Sequence, residues 1–526
     1  MASKTLFRTS PGKLAPKADA VNEAGGAAYA LEPRHALATY AATGCLSATF
    51  YASAEMQLDT VLGLCGKVEP EWIAKAAVYA RERAVMKDLP AFLAAVLSTR
   101  SADLLRQVFP RVIDSPKMLR NFVQIVRSGA VGRKSLGTVP KRLVLRWLEE
   151  RSDEQLFNGS VGNAPSLADI LKMVHPKPAT KSREALYRWL LGKEVPQASQ
   201  DDLPPAVLAF ERYKAHPKGA AVPDVPFQML TALPLGRDEW AEIARRAPWQ
   251  MTRMNLSTFQ RHGVFEVPGL TEIVADRLRN PELIAKARVL PYQLLVAYAS
   301  ASASLPAPVR EALQDAMEAA LRNVPRVDGK VWVFPDVSGS MHSPVTGARK
   351  GATSKVRCID VAALVAAALL RKNPDAEVVP FESHVVKVSL NPRDSVMTNA
   401  QKLASLPAGG TNCSAPLRHL NERKAKGDLV VYVSDNESWV DSPSYGAYGG
   451  SATETMRQWA AFKQRNPSAK MLAIDIQPNG TVQAKERDDI INVGGFSDQV
   501  FQVIADVAAG RSSAGYWVKQ IESIDL

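Results

Sequence analysis

At 526 residues the chain exceeds what one hydrophobic core holds, so at least two domains are expected. No apolar run reaches the roughly 18 residues of a membrane span, and the four cysteines, Cys45, Cys65, Cys358 and Cys413, form no CxxC pair, which argues against a zinc ribbon and for reduced thiols in a cytoplasmic protein. The net charge of +12 is uneven: from residue 327 onward 22 Lys and Arg face 21 Asp and Glu, leaving 43 against 32 before it, a bias that suits a polyanion such as nucleic acid and, from charge alone, equally a surface merely solubilised by its basic residues.

In chain order, residues 1–20 are basic and lack the apolar centre of a secretion signal, so they read as a flexible tail. Residues 21–326 read as helix after helix. In EPEWIAKAAVYARERA, Trp72, Ile73, Ala76, Ala77 and Ala80 fall at helical spacing, and DLPAFLAAVLST and SADLLRQVFPRVI follow. Ser115-Pro116 fits an N-cap with proline at the first helical position, and Ser166 to Asp169 fits a capping box. Helical segments separated by short Pro or Gly breaks, without a strict period, predict stacked hairpins in the manner of HEAT repeats, which often curve into a ring. Past LRNVPRVDGK the pattern changes. VWVFPD, DLVVYVSD and AKMLAIDI are continuous apolar strand runs, AEVVPFES and HVVKVSL read as a strand pair, and residues 356–372 read as a buried helix. Residues 327–526 are therefore expected to be a doubly wound α/β domain.

Ligands of such sheets sit at the carboxyl ends of the strands. There the sequence places Asp336, Ser338 and Ser340 after the first strand, Thr411 behind a Gly409-Gly410 turn, and Asp435 at the close of a later strand. Two carboxylates and several hydroxyls make a hard oxygen cage suited to Mg²⁺ or another small hard divalent cation, with a position left for an acidic group from a partner. A Ser-Gly-Ser turn alone is commonly a plain loop; the conjunction of three such segments is what points to a metal. Beside them, residues 342–355 and the loop bearing Trp439, Tyr445 and Tyr448 are expected to rise over the crevice and either anchor a partner or fold back on themselves.

The segments FPDVSGSM, LPAGGTNCSAP and VVYVSDNES resemble the metal-ion-dependent adhesion site of von Willebrand factor A domains, in the form found in the Ro autoantigen family. Residues 22–53, 81–98, 167–178 and 286–298 resemble, in order, the opening segment, first long hairpin, histidine motif and closing helix of that family's TROVE helical-repeat ring. The likeness covers about residues 20–526 and is greatest for the bacterial, Rsr-like branch. It implies a ring that binds small Y-like RNA on its outer surface, passes single-stranded 3′ ends of misfolded or immature RNA through its hole, and works with an exoribonuclease such as polynucleotide phosphorylase. By the same motifs His175 corresponds to the family's RNA-surface histidine, and Arg83 and Lys87 to basic positions of the first hairpin. LFNGSVGNAPS replaces the basic loop that precedes the histidine motif in animal members.

Two basic stretches would each read as a solvated loop taken singly, with His175 a helix C-terminal cap, and favour RNA only together with the charge bias and the family resemblance. SGAVGRKSLGTVPKRLVLRW carries Arg133, Lys134, Lys141, Arg142 and Arg146 with no acid, and HPKPATKSR adds His175, Lys177, Lys181 and Arg183. Such patches neutralise phosphates with little regard to sequence. A monomeric, non-catalytic RNA-binding core is thus expected. The competing readings are a protein scaffold that grips an acidic partner through the metal, and a metal-dependent hydrolase, disfavoured for want of a Walker loop, an HExxH motif, or a histidine or spare acid beside Asp336.

Overall fold

The computed structural model describes residues 15–43, 53–345, 356–440 and 452–526, except positions 163, 218–219, 288, 290, 301–303, 322–323, 325, 479, 496–498 and 512–513. These form two compact units. One is Val68–Val274 with Ser304–Pro306 and Ile524–Leu526; the other is Met1–Lys67, Ala275–Ala303 and Ala307–Ser523.

The first unit opens with helices α1 (Pro70–Glu82), α2 (Asp88–Arg100), α3 (Ala102–Val112), α4 (Pro116–Ser128), α5 (Thr138–Glu149), α6 (Leu167–Val174) and α7 (Lys181–Leu190). Their starts follow the sequence signals. The Ser115 side chain accepts from Met118 N with Pro116 in the first turn, and Ser166 and Asp169 form the expected capping box at 3.1 and 2.9 Å. Helix α2 is buried from Leu89 through Leu97, so it forms the middle of the stack, with α1, α3 and α4 packed around it. Helix α4 buries only Met118, Leu119, Phe122, Val123 and Val126, one face of an amphipathic helix. The Trp147 indole donates to Ile113 O at 2.6 Å, fixing the last turn of α5 beside the turn between α3 and α4. Beyond α7 the expected run of long hairpins gives way to short helices such as Phe227–Leu230, Trp249–Met254 and Leu256–Arg261, gathered on Trp240, Phe259 and Leu270. Prolines 204, 223, 226, 234, 248 and 268 interrupt this stretch and prevent longer helices.

The second unit contains strands β1 (Ala20–Val21), β2 (Ala27–Ala30), β3 (Val331–Pro335), β4 (Glu377–Val378), β5 (Leu429–Ser434), β6 (Lys470–Asp475), β7 (Thr481–Val482) and β8 (Ile490–Gly494). Five of them make a parallel sheet in the order β4-β3-β5-β6-β8, and β1, β2 and β7 make a small antiparallel one. β3, β5 and β6 lie where the apolar runs put them, and helix Cys358–Lys372 buries twelve of its side chains. The expected strand pair at 376–390 is corrected to one short edge strand. After Phe381 the chain reverses at once, with Glu382 N bonded to His384 O and Val386 N to Pro380 O, and only an isolated Phe381–Val385 bridge forms.

The division expected at residue 326/327 differs from that of the compact units, because the N-terminal flank of the helical part packs with the sheet and the C-terminal flank with helices Cys358–Lys372 and Val396–Ala404. Tyr29 is fully buried in the same core as Trp332, Phe334 and Trp459, and pairs across strands with Val482. Its hydroxyl donates to Pro16 O at 2.6 Å, and Ala15 and Ala18 lie against that core. Residues 15–20 are therefore packed rather than a free tail; residues 1–14 lie outside the described residues. Helix Pro33–Thr43 sits on β8 so closely that a Cβ on Gly494 would come within 2.6 Å of Thr39 Cβ. Replacing Tyr29 by Ala is expected to cost roughly 3–5 kcal/mol in urea unfolding, the usual range for a buried aromatic; a loss below about 1 kcal/mol would mean the N-terminal strands are dispensable to this core.

Candidate metal centre

β3 and β5 are neighbours in the sheet, and their carboxyl ends bring Asp336 and Asp435 together. Asp336 is fully buried. Its Oδ1 accepts from Ser338 N at 2.8 Å and its Oδ2 from Ser434 Oγ at 2.5 Å. Ser338 Oγ and Ser340 Oγ lie 3.3 Å apart, and the Ser340 hydroxyl bonds to Asp435. Asp435 Oδ1 also accepts from Glu437 N at 3.3 Å. Thr411 is buried, and its carbonyl accepts from Trp439 N at 3.1 Å, which ties its loop to the one after Asp435. The glycine brace is a matter of room. A Cβ on Gly409 would strike the Glu382 carboxylate, and one on Gly410 would meet Val440 Cγ2 at 2.8 Å. Gly339 N donates to Gly409 O at 2.9 Å, so the DxSxS loop and the Thr411 loop are clasped directly.

The electrostatics fit a cation. Burial, and then the charge of Asp435, push the Asp336 carboxyl up; burial also raises Asp435. Asp475, at the close of β6, is pushed well above the ordinary range by burial and by Asp435 and Glu437. Among the described residues no Lys, Arg or His forms an ion pair with Asp336, Asp435 or Asp475. Buried like charges without a counter-charge are costly, and a divalent ion held by Asp336, Ser338, Ser340, Thr411 and Asp435 would supply that charge. The described residues hold no group of three His, Cys, Asp or Glu arranged as a metal cage, so an ion here would draw on hydroxyls as much as on carboxylates.

Ser434, Glu437 and Asp475 are additions that the sequence motifs do not single out. Asp475 has a signal, since AKMLAIDI ends a strand on an acid just as VVYVSD does. Both acids are buried, and the charges of Asp435 and Glu437 reach Asp475. Trp439 and Val440 are 48% and 38% exposed beside Gly410 and form an apolar lip there; Tyr445, Tyr448 and residues 346–355 lie outside the described residues. Cys65, Cys358 and Cys413 are buried and in no disulfide, Cys45 is outside the described residues, and no helix among the described residues is long and apolar enough to cross a membrane.

The basic positions all belong to the helical unit, where they separate into two groups. Arg133 donates from its guanidinium to Ser98 O at 2.7 Å, near the end of α2, so Arg133 and Lys134 lie at that end, with Lys141 in the first turn of α5 and Arg142 beside it. Arg83 and Lys87 sit in the α1–α2 turn at the opposite end of α2. Arg81 pairs there with Asp114, Trp147 reaches Ile113, and Arg183 donates to Leu148 O at 3.0 Å; these bonds bring the α1–α2 turn, Arg146 in the last turn of α5, and the loop from His175 to Lys181 to one end. Lys134, Arg142, Arg146, His175, Lys177 and Lys181 are exposed, as are Arg83 and Lys87; Lys141 and Arg133 are half-buried. His175 caps α6 in the left-handed region, φ 54°. Arg183 is corrected: its guanidinium is spent on Asp153, Leu148 O and Arg151 O, a structural tie rather than a surface charge.

The fold and site define a helix-rich protein that carries a von Willebrand A domain with a DxSxS crevice. Residues 330–508 match the family model of the Ro60 vWA domain. The chain is 25% identical over 530 residues to the RNA-binding protein RO60 of Deinococcus radiodurans, covering 93% of this chain and 95% of that protein, and 23% identical over 274 residues to the Caenorhabditis elegans protein of the same name, covering 50% and 40%. The crystal structure of the Deinococcus radiodurans RO (RSR) protein superposes with a TM-score of 0.62 at 20% identity, covering 91% of this chain and all of that one. Along nearly its whole length the chain thus resembles a bacterial Ro protein.

Proposed function

We propose that the protein is the RNA-binding core of a Ro-type ribonucleoprotein. The observation that carries this is similarity along nearly the whole chain to a protein named for RNA binding, in a chain whose basic excess lies before residue 327. It takes a small Y-like RNA on the outer face of the helical part and single-stranded 3′ ends of misfolded or immature RNA in a central opening, and it hands RNA to an exoribonuclease in the cytoplasm. It performs no chemistry of its own: Glu437 and Asp475 are buried, and Glu437 is engaged by Ala24 N. In the α/β domain Asp336, Ser338, Ser340, Thr411 and Asp435 hold Mg²⁺ at a metal-ion-dependent adhesion site.

A second reading, a protein scaffold without an RNA role, draws on the Trp439–Val440 lip beside the metal position, which suits a partner presenting an acid next to an apolar side chain. Filter binding of a structured RNA with a single-stranded tail separates the two. Affinity should fall steeply as salt rises, as phosphate contacts require; absence of binding at low salt would leave only the scaffold.

A further inference from the structure

We propose that Glu23, from the chain's own N-terminal segment, is the acidic group that faces the ion of the DxSxS site, so that an external acid must displace a built-in one. This rests on the metal reading above.

Glu23 sits in a tight turn. Gly25 N donates to Asn22 O at 3.0 Å, Asn22 N to Gly26 O at 2.9 Å, and Gly26 N to Asn22 Oδ1 at 2.6 Å. Gly25 has φ 84°, a conformation that glycine adopts without cost. The two residues flanking Glu23 are bonded to the loop that follows Asp435: Asn22 Nδ2 donates to Ser438 O at 2.8 Å and Ala24 N to Glu437 Oε2 at 3.0 Å. Ser438 in turn accepts from Cys413 N at 3.0 Å, two residues after Thr411. One serine therefore holds in register the turn bearing Glu23, the loop bearing Thr411 and the loop bearing Asp435. The Glu23 side chain keeps an exposed edge. Its carboxyl is pushed up first by desolvation and then by the charge of Asp435, which places it within electrostatic reach of a proposed ligand.

Two bonded neighbours thus fix the backbone of Glu23 beside the Glu437–Ser438 loop, two to three residues from Asp435, where the charge of Asp435 reaches its carboxylate. Without an ion the arrangement is repulsive, and with one Glu23 becomes favourable. A hard divalent ion takes six or more oxygen ligands, and the five side chains at the site leave room for it.

The test uses the full chain with Mn²⁺ and acetate as probes, comparing parent, Glu23→Gln and Asp336→Ala. Glu23 is exposed, so the amide is accommodated, and melting in EDTA checks folding. Calorimetric titration should show Glu23→Gln binding Mn²⁺ roughly tenfold more weakly, the effect of losing one charged neighbour of the ion. Water-proton relaxation should rise, reporting an additional exchangeable water on Mn²⁺, and acetate should bind the loaded variant more tightly than the loaded parent. Glu23→Gln that matches the parent in all three, while Asp336→Ala loses Mn²⁺, overturns the role of Glu23 and leaves the metal site standing. Asp336→Ala that still binds Mn²⁺ at the parent's affinity overturns the metal reading itself.

Discussion

Asp336→Ala is expected to abolish divalent-ion binding and to remove the stabilisation that Mg²⁺ gives the parent protein, about 2.7 kcal/mol when free Mg²⁺ is a hundredfold above its dissociation constant. The same substitution should change the pH dependence of the metal-free protein. Burial and the Asp435 charge raise the Asp336 carboxyl from 3.8 to about 7 in the folded state, so folding takes up a proton between those values. A raised acid favours the folded state below the unfolded value, and that contribution is lost as pH climbs through the folded one. In EDTA the parent should therefore lose stability between about pH 4 and 7, and Asp336→Ala should lose less over the same window. With Mg²⁺ the order reverses, because the ion competes with the protons and binds more tightly as pH rises. Melting curves across that window, with and without Mg²⁺, read both effects. Parallel curves for parent and variant in EDTA would mean that the two aspartates do not share their charge as the structure arranges.

The candidate ligands Asp336 and Asp435 are legible because two strands end on them, and strand ends read plainly from continuous apolar runs followed by short polar side chains, while Thr411 reads from its glycine turn. Asp475 follows the same pattern but is harder to see, since no Ser-x-Ser or glycine turn accompanies it. The N-terminal contribution is not legible. AAYALEP is too short to declare a strand, and its partner Val482 and the anchor Ser438 lie more than 400 residues away, a pairing that only tertiary packing specifies. The strand pair at 376–390 fails for the opposite reason: its residues have strand propensity, but the reversal after Phe381 takes them off the sheet. The helical part is legible wherever a capped, amphipathic period is present, and less so past residue 204, where prolines fragment the helices. Among the basic residues, sequence counts charges but does not say which are spent internally. Arg183 and, in part, Arg133 bond to backbone carbonyls, and the Arg133 guanidinium lies over Gly137, where a Cβ would collide with it.

That distinction shapes the strongest expectation for RNA. Replacing Lys87, Arg146, Lys177 and Lys181 together with Ala should weaken binding of a structured RNA by about a hundredfold or more at low salt and reduce the salt slope by about 0.9 for each phosphate no longer neutralised. Replacing Lys134, Lys141 and Arg142, at the other end of α2, should cost less. The ten steps from Asp88 to Ser98 rise about 15 Å, so a duplex docked by the first group reaches the second only at its edge. Arg133 and Arg183 stay unchanged in both sets, because removing them would loosen the helical stack and blur binding with folding. Sequence-independent loss is expected from either set, since lysines and arginines of this kind meet phosphates rather than base edges. Filter binding over a salt series gives both slopes in one experiment. Equal slopes for the two variants would show that the RNA lies along the stack rather than across one end, and slopes unchanged from the parent would move the RNA surface off these helices altogether.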